Sequence, residues 1–228
     1  MTQKIEDKMK KTLLIALILG AFSFTLPQRA SAIDYRQIEV DVTMHPARYK
    51  ALLDRFVAAD TTLTSDEMAT VYYGYAFTPS YEPRDTFPEI HAAYDRKDYE
   101  TVARLIGPAL ELNPVSLDLS ILALAVYERG VGETPGKKAL NMAIRSDLIA
   151  GVILESGHGT FAASPFYVTS DADRRRILTN VIGIGKVIGT DRLGDVEAIK
   201  FNFPGNSRQH ILYFDNTLEE NFLKSHPR

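Results

Sequence analysis

The sequence predicts an α+β fold that is mostly helical, with helical hairpins followed by a small antiparallel β region. Between residues 46 and 153, apolar residues recur at helical spacing and capping residues precede several of the runs. Between residues 197 and 214, apolar and polar residues alternate on both sides of a turn, as in a hairpin with one buried face. We therefore expect a signal peptide over residues 1–32, a helical repeat-like region over 33–150, and a small α/β region over 151–228 packed on it.

The first 32 residues have the parts of a secretory signal peptide. Three lysines between residues 8 and 11 form a positive start, and an uncharged apolar run over residues 13–24 follows. This run is shorter than the roughly 20 residues that a membrane-spanning helix needs, although an uncleaved membrane anchor is the alternative interpretation. Small residues precede the bond between Ala32 and Ile33, where we expect cleavage.

An export signal predicts a protein of the periplasm or the extracellular space. Met9 directly precedes two of the lysines and is an alternative start to Met1. The chain has no cysteine, which excludes lipid attachment through cysteine, disulfides and thiolate metal sites. We therefore expect a soluble domain that is not a lipoprotein and that has no stable membrane insertion after signal cleavage.

The charge balance argues against nucleic acid as a partner. The chain carries 26 basic and 29 acidic residues; without the five basic and two acidic residues of the signal segment, 21 and 27 remain, a net charge of −6. Phosphate contacts supply the affinity for nucleic acid, and a moderately acidic domain without a basic stripe lacks them. The expected partner is an unknown protein, peptide or envelope component.

The first helices are predicted from their caps and their apolar spacing. Pro46 suits the first turn of a helix. Thr64 and Glu67 form a capping-box pattern that opens a second helix through Phe77. This second helix is apolar on nearly all sides, which is typical of an enclosed helix.

A short phrase at residues 92–97 recurs at residues 125–130, a shift of 33 residues. Together with an intervening Ala-Leu-Glu-Leu-Asn-Pro phrase, it resembles the tetratricopeptide repeat, whose units of about 34 residues pair two helices. In the first unit that the resemblance implies, one helix ends near Lys97 and the second lies over residues 98–113, where Gly107 and Pro108 are expected to interrupt it. The helices of the next unit lie over residues 116–129 and 135–153.

After residue 151 the pattern changes to short elements. Pro204 to Ser207 has turn composition and separates two alternating segments, of which the first places Ile199, Phe201 and Phe203 on one face. The expected elements are a strand over 166–169, a short helix over 171–182, two hairpin strands over 197–203 and 210–214, and a terminal helix opened by a capping-box pattern of Thr217 and Glu220.

The glycine-rich stretch at residues 183–189 has the spacing G-x-G-x-x-x-G, one residue off the dinucleotide-binding fingerprint. No apolar strand leads into it, and no Gly-Lys-Ser/Thr ends it, as a phosphate loop requires. We interpret it as a turn or a strand edge and predict no cofactor.

The sequence contains no catalytic constellation. The five histidines lack zinc-site spacing, and neither an H-E-x-x-H nor a G-x-S-x-G motif occurs, so we predict no metal site and no catalytic residue. His158 stands between two glycines that can expose its ring in a loop, which makes it a candidate binding residue. A solvent-facing turn histidine is the alternative interpretation.

The other candidate binding residues are Tyr73, Tyr75 and Tyr81, with Arg84 close behind. Aromatic rings are enriched at binding interfaces, which favours a surface that takes a ligand or partner. Tyrosines also supply protein cores with large apolar area and a hydroxyl group that needs a hydrogen-bond partner. The residues alone leave both interpretations open.

The Leu-Thr-x-x-Glu phrase at residues 63–67, followed by Val-Tyr-Tyr-Gly-Tyr-x-Phe at 71–77, resembles an exported bacterial family of domains of unknown function, numbered 4919 and common in Bacteroidetes. Tyr81-x-Pro83, Gly157-His158-Gly159 and the run at 211–215 follow in the same order. The resemblance covers most of the mature chain and implies its fold and its export, but no activity. Family members often have aspartate where His158 stands, which argues against a catalytic role for His158.

Two functions fit these observations. The favoured hypothesis is an exported, non-enzymatic binding or protein-interaction module of the bacterial envelope, because repeat-like helices typically stack into a concave surface. The alternative is an envelope hydrolase that acts on glycan or peptide through an unrecognised site. It requires acidic or histidine side chains that converge in a cleft with perturbed pKa values.

Overall fold

The computed structural model describes residues 33–84, 87–131 and 135–227. The predicted signal peptide, with Ala32, lies outside these residues, whereas Ile33 is the first described residue and packs partly buried against the core. The elements are α1 (Tyr35–Met44), α2 (Pro46–Val57), α3 (Ser65–Gly74), a 3₁₀ turn (Tyr75–Phe77), α4 (Pro88–Asp95), α5 (Tyr99–Leu112), α6 (Leu117–Tyr127), α7 (Pro135–Glu155), β1 (Phe166–Tyr167), α8 (Asp171–Arg176) with a π-helical continuation (Ile177–Ile182), β2 (Lys186–Leu193), β3 (Val196–Asn202), β4 (His210–Asp215) and α9 (Thr217–Ser225).

The predicted class, α+β and mostly helical, is confirmed. The four strands form one sheet in the order β1-β4-β3-β2. The expected hairpin of β3 and β4 is antiparallel, and Ile199 pairs with Leu212 in it. The sheet is mixed rather than purely antiparallel, because the two-residue strand β1 pairs with β4 in parallel.

Local capping chemistry explains several helix starts. The capping box of α3 forms as predicted: the Glu67 amide donates to the Thr64 hydroxyl at 3.2 Å, and the Thr64 amide donates to the Glu67 carboxylate at 2.9 Å. Asp34 caps α1, an element that the sequence patterns did not indicate. The predicted box at Thr217 is absent, because Thr217 is already the first helical residue and no side-chain bond caps α9.

Helix α5 runs through Pro108 without a break, so the predicted interruption at Gly107 and Pro108 is wrong. Proline lacks an amide hydrogen and crowds the carbonyl one turn earlier, which normally bends or ends a helix. Here Val102, Ile106 and Leu110 are buried along the other side of α5, and this packing holds the helix together.

The apolar side chains form two clusters. The sheet core joins α1, α2, α3, the second half of α7, α8 and the sheet, and it contains Phe56, Tyr72, Tyr73 and Phe214. The hairpin core lies among α4, α5 and α6 and is extended by Met142 of α7. Helix α6 borders both, since its Leu117 belongs to the sheet core whereas four of its other side chains belong to the hairpin core.

Helices α4 to α7 pack in chain order, each against the next. This produces two consecutive helical pairs, α4 with α5 and α6 with α7. The repeated phrase of the sequence falls at the end of the first helix of each pair. Among the described residues, no helix combines the length and the apolar character needed to cross a membrane.

Candidate binding surface

The three candidate tyrosines lie in the sheet core rather than on a surface. The exposed fractions are 0% for Tyr73, 4% for Tyr75 and 6% for Tyr81. Each hydroxyl group reaches a backbone carbonyl oxygen: the Tyr81 hydroxyl donates to Thr169 at 2.6 Å, and the Tyr73 hydroxyl donates to Tyr167 at 3.2 Å. In this fold their rings therefore cannot contact a partner directly, because neighbouring side chains cover them.

Tyr75 nevertheless connects the core to the exposed end of α5. Its hydroxyl lies 2.5 Å from the carbonyl oxygen of Leu112 and 2.9 Å from that of Ser80. Burial raises the pKa of Tyr75 to about 12, so the hydroxyl keeps its proton at physiological pH. Leu112 is the last residue of α5, and this contact fixes the end of that helix against the 3₁₀ turn that follows α3.

Arg84 is held against the C-terminal helix. Its guanidinium lies 5.3 Å from the centre of the Phe222 ring, pairs with Glu82 at 2.9 Å, and donates to the carbonyl of His226. The Arg84 guanidinium is thus engaged within the protein by a cation–π contact, an ion pair and a hydrogen bond. The side chain is partly buried and borders a small polar cavity.

His158 is exposed in the loop between α7 and β1. Its Nδ1 lies 3.0 Å from the Ser164 hydroxyl oxygen, and its ring stacks on Phe161 at 5.2 Å. The flanking glycines have a packing role. A Cβ atom on Gly157 would lie 1.9 Å from the Pro165 carbonyl oxygen, and one on Gly159 would lie 2.1 Å from the Phe166 ring. The Gly-His-Gly phrase is thus explained by close packing of this loop.

A buried polar network joins α3, α6 and α8. The Tyr72 hydroxyl donates to one carboxylate oxygen of Asp173 at 3.0 Å, and the Asp118 amide donates to the other at 3.1 Å. Burial raises the pKa of Asp173 to about 7, and the nearby charge of Asp118 adds to the rise. Asp173 is fully enclosed, so it has no access to a ligand.

The Asp118 side chain connects this network to α4. One of its oxygens lies 2.7 Å from His91 Nε2, and the other accepts from Arg176 Nε at 2.6 Å. Burial alone would raise the pKa of Asp118, but the hydrogen bond with His91 and the charge of Arg176 hold it below its usual value. Two neighbouring carboxyl groups thus have pKa values shifted in opposite directions, a pattern also found in acid–base sites.

The cavity beside this network is small. Its volume is about 30 Å³, and His91, Asp118, Ser116 and Ser170 border it with Arg84. Such a volume suits about one water molecule and no sugar ring or peptide group. Among the described residues, no cluster of three or more His, Asp or Glu side chains is arranged to hold a metal ion.

A much larger depression lies between α4 and α5, and we call it the α4–α5 groove. Its volume is about 680 Å³. Its floor is mainly apolar, and Leu112 at one end is 63% exposed. The lining residues are Phe87, Glu89, Ala92, Arg96, Thr101, Arg104, Leu105, Pro108, Ala109 and Leu112.

The lining residues of α5 recur every three or four positions from Thr101 to Leu112 and therefore form one face of the helix. The opposite face fills the hairpin core with Val102, Ile106 and Leu110. Helix α5 thus carries apolar residues on a second side as well, and the described residues leave this side uncovered. Uncovered apolar surface of this kind is typical of interaction sites.

The sequence patterns did not single out the groove. The signal that indicates it is the apolar residues of α5 beyond its buried stripe: Pro108 and Leu112 are exposed, and Leu105 is only partly buried against the hairpin core. None of the candidate residues Tyr73, Tyr75, Tyr81, Arg84 and His158 lines the groove. Tyr75 is linked to it through the carbonyl of Leu112.

The comparisons with known proteins give one result. The model of a family described as a domain of unknown function, DUF4919, matches residues 36–217, which is most of the chain. No curated protein matches, and no solved structure matches.

Proposed function

This chain belongs to the DUF4919 family, and we propose that it is an exported, non-enzymatic binding module of the bacterial envelope, periplasmic or secreted, whose protein or peptide partner docks in the α4–α5 groove. The observation that carries the proposal is the apolar face of α5 that the described residues leave uncovered beside a 680 Å³ depression.

The size and lining of the groove support a peptide-like ligand. Ligand sites usually measure about 300–1,000 Å³ and combine an apolar lining with a few polar groups. Two helices with a depression between them also offer the geometry in which a third helix or an extended segment lays its apolar side chains. Fully burying one exposed leucine contributes roughly 1.5–3 kcal/mol, and Leu112 and Leu105 both line the groove.

The arrangement of α4 to α7 further supports a binding role. Helical pairs that pack in chain order resemble the units of tetratricopeptide arrays, whose stacked helices build extended recognition surfaces. The pairs of this chain begin with α4 and α5, so the groove lies on the first pair.

The test compares two leucines of nearly equal exposure. Leu112 in the groove is 63% exposed, and Leu140 on α7, outside the groove, is 61% exposed. A photo-crosslinking amino acid at position 112 should capture a discrete partner in the envelope of the source cell, whereas the same group at position 140 should not. Leu112→Asp should abolish capture through a crosslinker at Ala92, and Leu140→Asp should leave it intact. Equal capture at both leucines would refute the groove as the binding site.

A second candidate function, an envelope hydrolase acting on glycan or peptide, has one observation in its favour. His91 and Asp118 border a polar cavity, Asp173 is buried behind them, and the two carboxyl groups have pKa values shifted apart. The cavity of about 30 Å³ has no room for a substrate group, so this hypothesis additionally requires the cavity to open.

Incubation of the mature chain with envelope glycan and with envelope protein separates the two candidates. The binding module should release no fragments. Cleavage that His91→Asn abolishes and His158→Asn leaves unchanged would instead establish the hydrolase, because only His91 belongs to the buried network.

A further inference from the structure

We propose that the α4–α5 groove selects an acidic amphipathic segment of its partner, oriented with its carboxylates toward the turn between the two helices. This inference rests on the proposed function and adds the chemistry and the direction of the ligand. It depends on how charge is distributed along the groove.

The charged side chains that line the groove at its turn end are positive. Arg96 ends α4 and Arg104 lies in the second turn of α5, and both side chains are exposed and line the groove. In the described part of the chain, neither guanidinium forms an ion pair or a hydrogen bond. Arginine presents a planar fork of hydrogen-bond donors that matches a carboxylate, so two such groups form a binding site for acidic side chains.

Asp98 lies in the same turn and is already engaged. Its carboxylate caps α5 by accepting from the Thr101 amide at 3.1 Å. The pKa of Asp98 is lowered mainly by hydrogen bonds from Thr101, and the charges of Arg96 and Arg104 add to that effect without an ion pair. The exposed Lys97 adds a further positive charge to this turn.

The opposite end of the groove has the reverse character. Glu89 lies in the first turn of α4, seven residues before Arg96, a separation of about 10 Å along the helix. Because α4 and α5 are joined by a short turn, Leu112 lies at the same end as Glu89. The groove thus changes from cationic at the turn to apolar and weakly acidic at the open end, which gives a ligand one preferred direction.

The middle of the groove also contains a backbone carbonyl that lacks its usual donor within the helix. Pro108 has no amide hydrogen, so it cannot donate to the carbonyl of Arg104 one turn earlier. Both residues line the groove. A ligand that supplies an N–H group at this point would satisfy the acceptor.

This charge distribution argues against the N-terminal segment of the chain as the occupant. The apolar run over residues 13–24 would fit an apolar floor, but three lysines between residues 8 and 11 precede it. These lysines would meet Arg96 or Arg104 in one orientation, and in the other only Glu89 is available to them. An acidic segment of another protein has the complementary charge.

The experiment uses the mature chain and two synthetic helical peptides that share one apolar face. One peptide carries two glutamates near one end, and the other carries two lysines at the same positions. Fluorescence anisotropy at low ionic strength should show about tenfold tighter binding of the acidic peptide, because two exposed ion pairs each add modestly to its affinity and the lysine peptide lacks both. The preference should shrink as salt is raised. A spin label at the acidic end should broaden resonances near Arg96 more than those near Leu112.

The charge-reversed variant R96E/R104E should invert the preference. The matched control is K137E/R208E, which makes the same charge change at exposed positions outside the groove. Equal binding of the two peptides, or inversion by the control as well, would overturn the charge selection while leaving the groove as a binding site. Failure of both peptides to bind, or binding that Leu112→Asp does not weaken, would overturn the proposed function itself. Self-association that the acidic peptide does not compete away would identify a second copy of this chain as the occupant instead.

Discussion

Helices α3 and α5 both carry more apolar surface than a helix on the outside of a protein needs, yet only one of them is covered. The rings of α3 are enclosed by α1, α2, α7 and the sheet, and their hydroxyl groups bond to backbone carbonyls or to Asp173. Helix α5 covers one side with the hairpin core and leaves Leu105, Pro108 and Leu112 along the groove.

The comparison teaches that aromatic content alone does not locate a binding surface. The tyrosine-rich segment looks like a recognition site in sequence, but every hydroxyl on it has a backbone or carboxylate partner inside the protein. Helix α5, which remains partly uncovered, is rich in leucine and has no unusual composition. What distinguishes the binding surface from the core is whether neighbouring elements cover all the apolar sides of the helix.

The largest effect should come from the covered helix. Tyr73→Ala removes a fully buried ring from the sheet core, and we expect a loss of about 3–5 kcal/mol in the free energy of unfolding. Tyr73→Phe removes only the hydroxyl group and should cost about 1 kcal/mol. Urea unfolding followed by circular dichroism measures both. A loss below about 1 kcal/mol for Tyr73→Ala would mean that the ring is not part of the core.

The next prediction compares the stability losses caused by substituting two leucines of α5. Leu110 is 8% exposed in the hairpin core and Leu112 is 63% exposed in the groove. Leu110→Ala should cost about 2–5 kcal/mol, whereas Leu112→Ala should change the free energy of unfolding by about 0.5 kcal/mol or less. Chemical unfolding of the two variants under identical conditions measures the difference. Comparable losses would show that the groove is closed in solution.

The buried carboxyl groups should make the sheet core sensitive to pH. Burial raises the pKa of Asp173 to about 7 and that of Glu219 to about 7, above the usual values near 4 of an unfolded chain. The folded state therefore binds more protons between about pH 4 and pH 7, and stability should fall as pH rises through that window. We expect the free energy of unfolding to be about 1–3 kcal/mol lower at pH 8 than at pH 5.

Glu219→Gln isolates one part of this dependence. It removes one of the two titrating groups, so the decrease between pH 5 and pH 8 should become smaller. Glu89→Gln on the exposed start of α4 is the matched control and should leave the slope unchanged. A free energy of unfolding that rises between pH 5 and pH 8 would contradict the direction assigned to both groups.

A substitution at Pro108 tests the stability of α5 and its binding role separately. Pro108→Ala restores an amide hydrogen that can donate to the Arg104 carbonyl, and it should raise the free energy of unfolding by about 1–2 kcal/mol, since proline is disfavoured inside helices. The same variant should bind the acidic peptide more weakly, because the Arg104 carbonyl then has its usual donor within the helix. Thermal unfolding and anisotropy together test this. A stabilised variant with unchanged binding would show that the ligand does not use that carbonyl.

The sequence predicts best where a structure depends on neighbours along the chain. The capping box of Thr64 and Glu67 forms as predicted, and Ile199 and Phe201 alternate inward on β3. The predicted box at Thr217 is wrong, because the preceding strand and Asp215 set the start of α9; the Thr217 amide donates to the Asp215 carboxylate instead.

Features that depend on distant segments could not be predicted in this way. Whether Tyr73 is covered depends on α7 and β1, which lie about eighty or more residues further along the chain. The continuity of α5 through Pro108 depends on the packing of its other side. The groove itself is lined by residues of both α4 and α5, and neither helix encodes their mutual arrangement on its own.

The position of α6 between the two cores has a consequence for how the chain opens. Because α6 contributes side chains to both clusters, it cannot leave one of them without exposing the other. The hydrogen bond between Tyr72 and Asp173 likewise joins residues 33–150 to residues 151–228. Slow amide hydrogen exchange should therefore extend from α6 into both clusters with similar opening free energies, as one cooperative unit. A protease cut or a truncation near residue 150 should not yield a stable half.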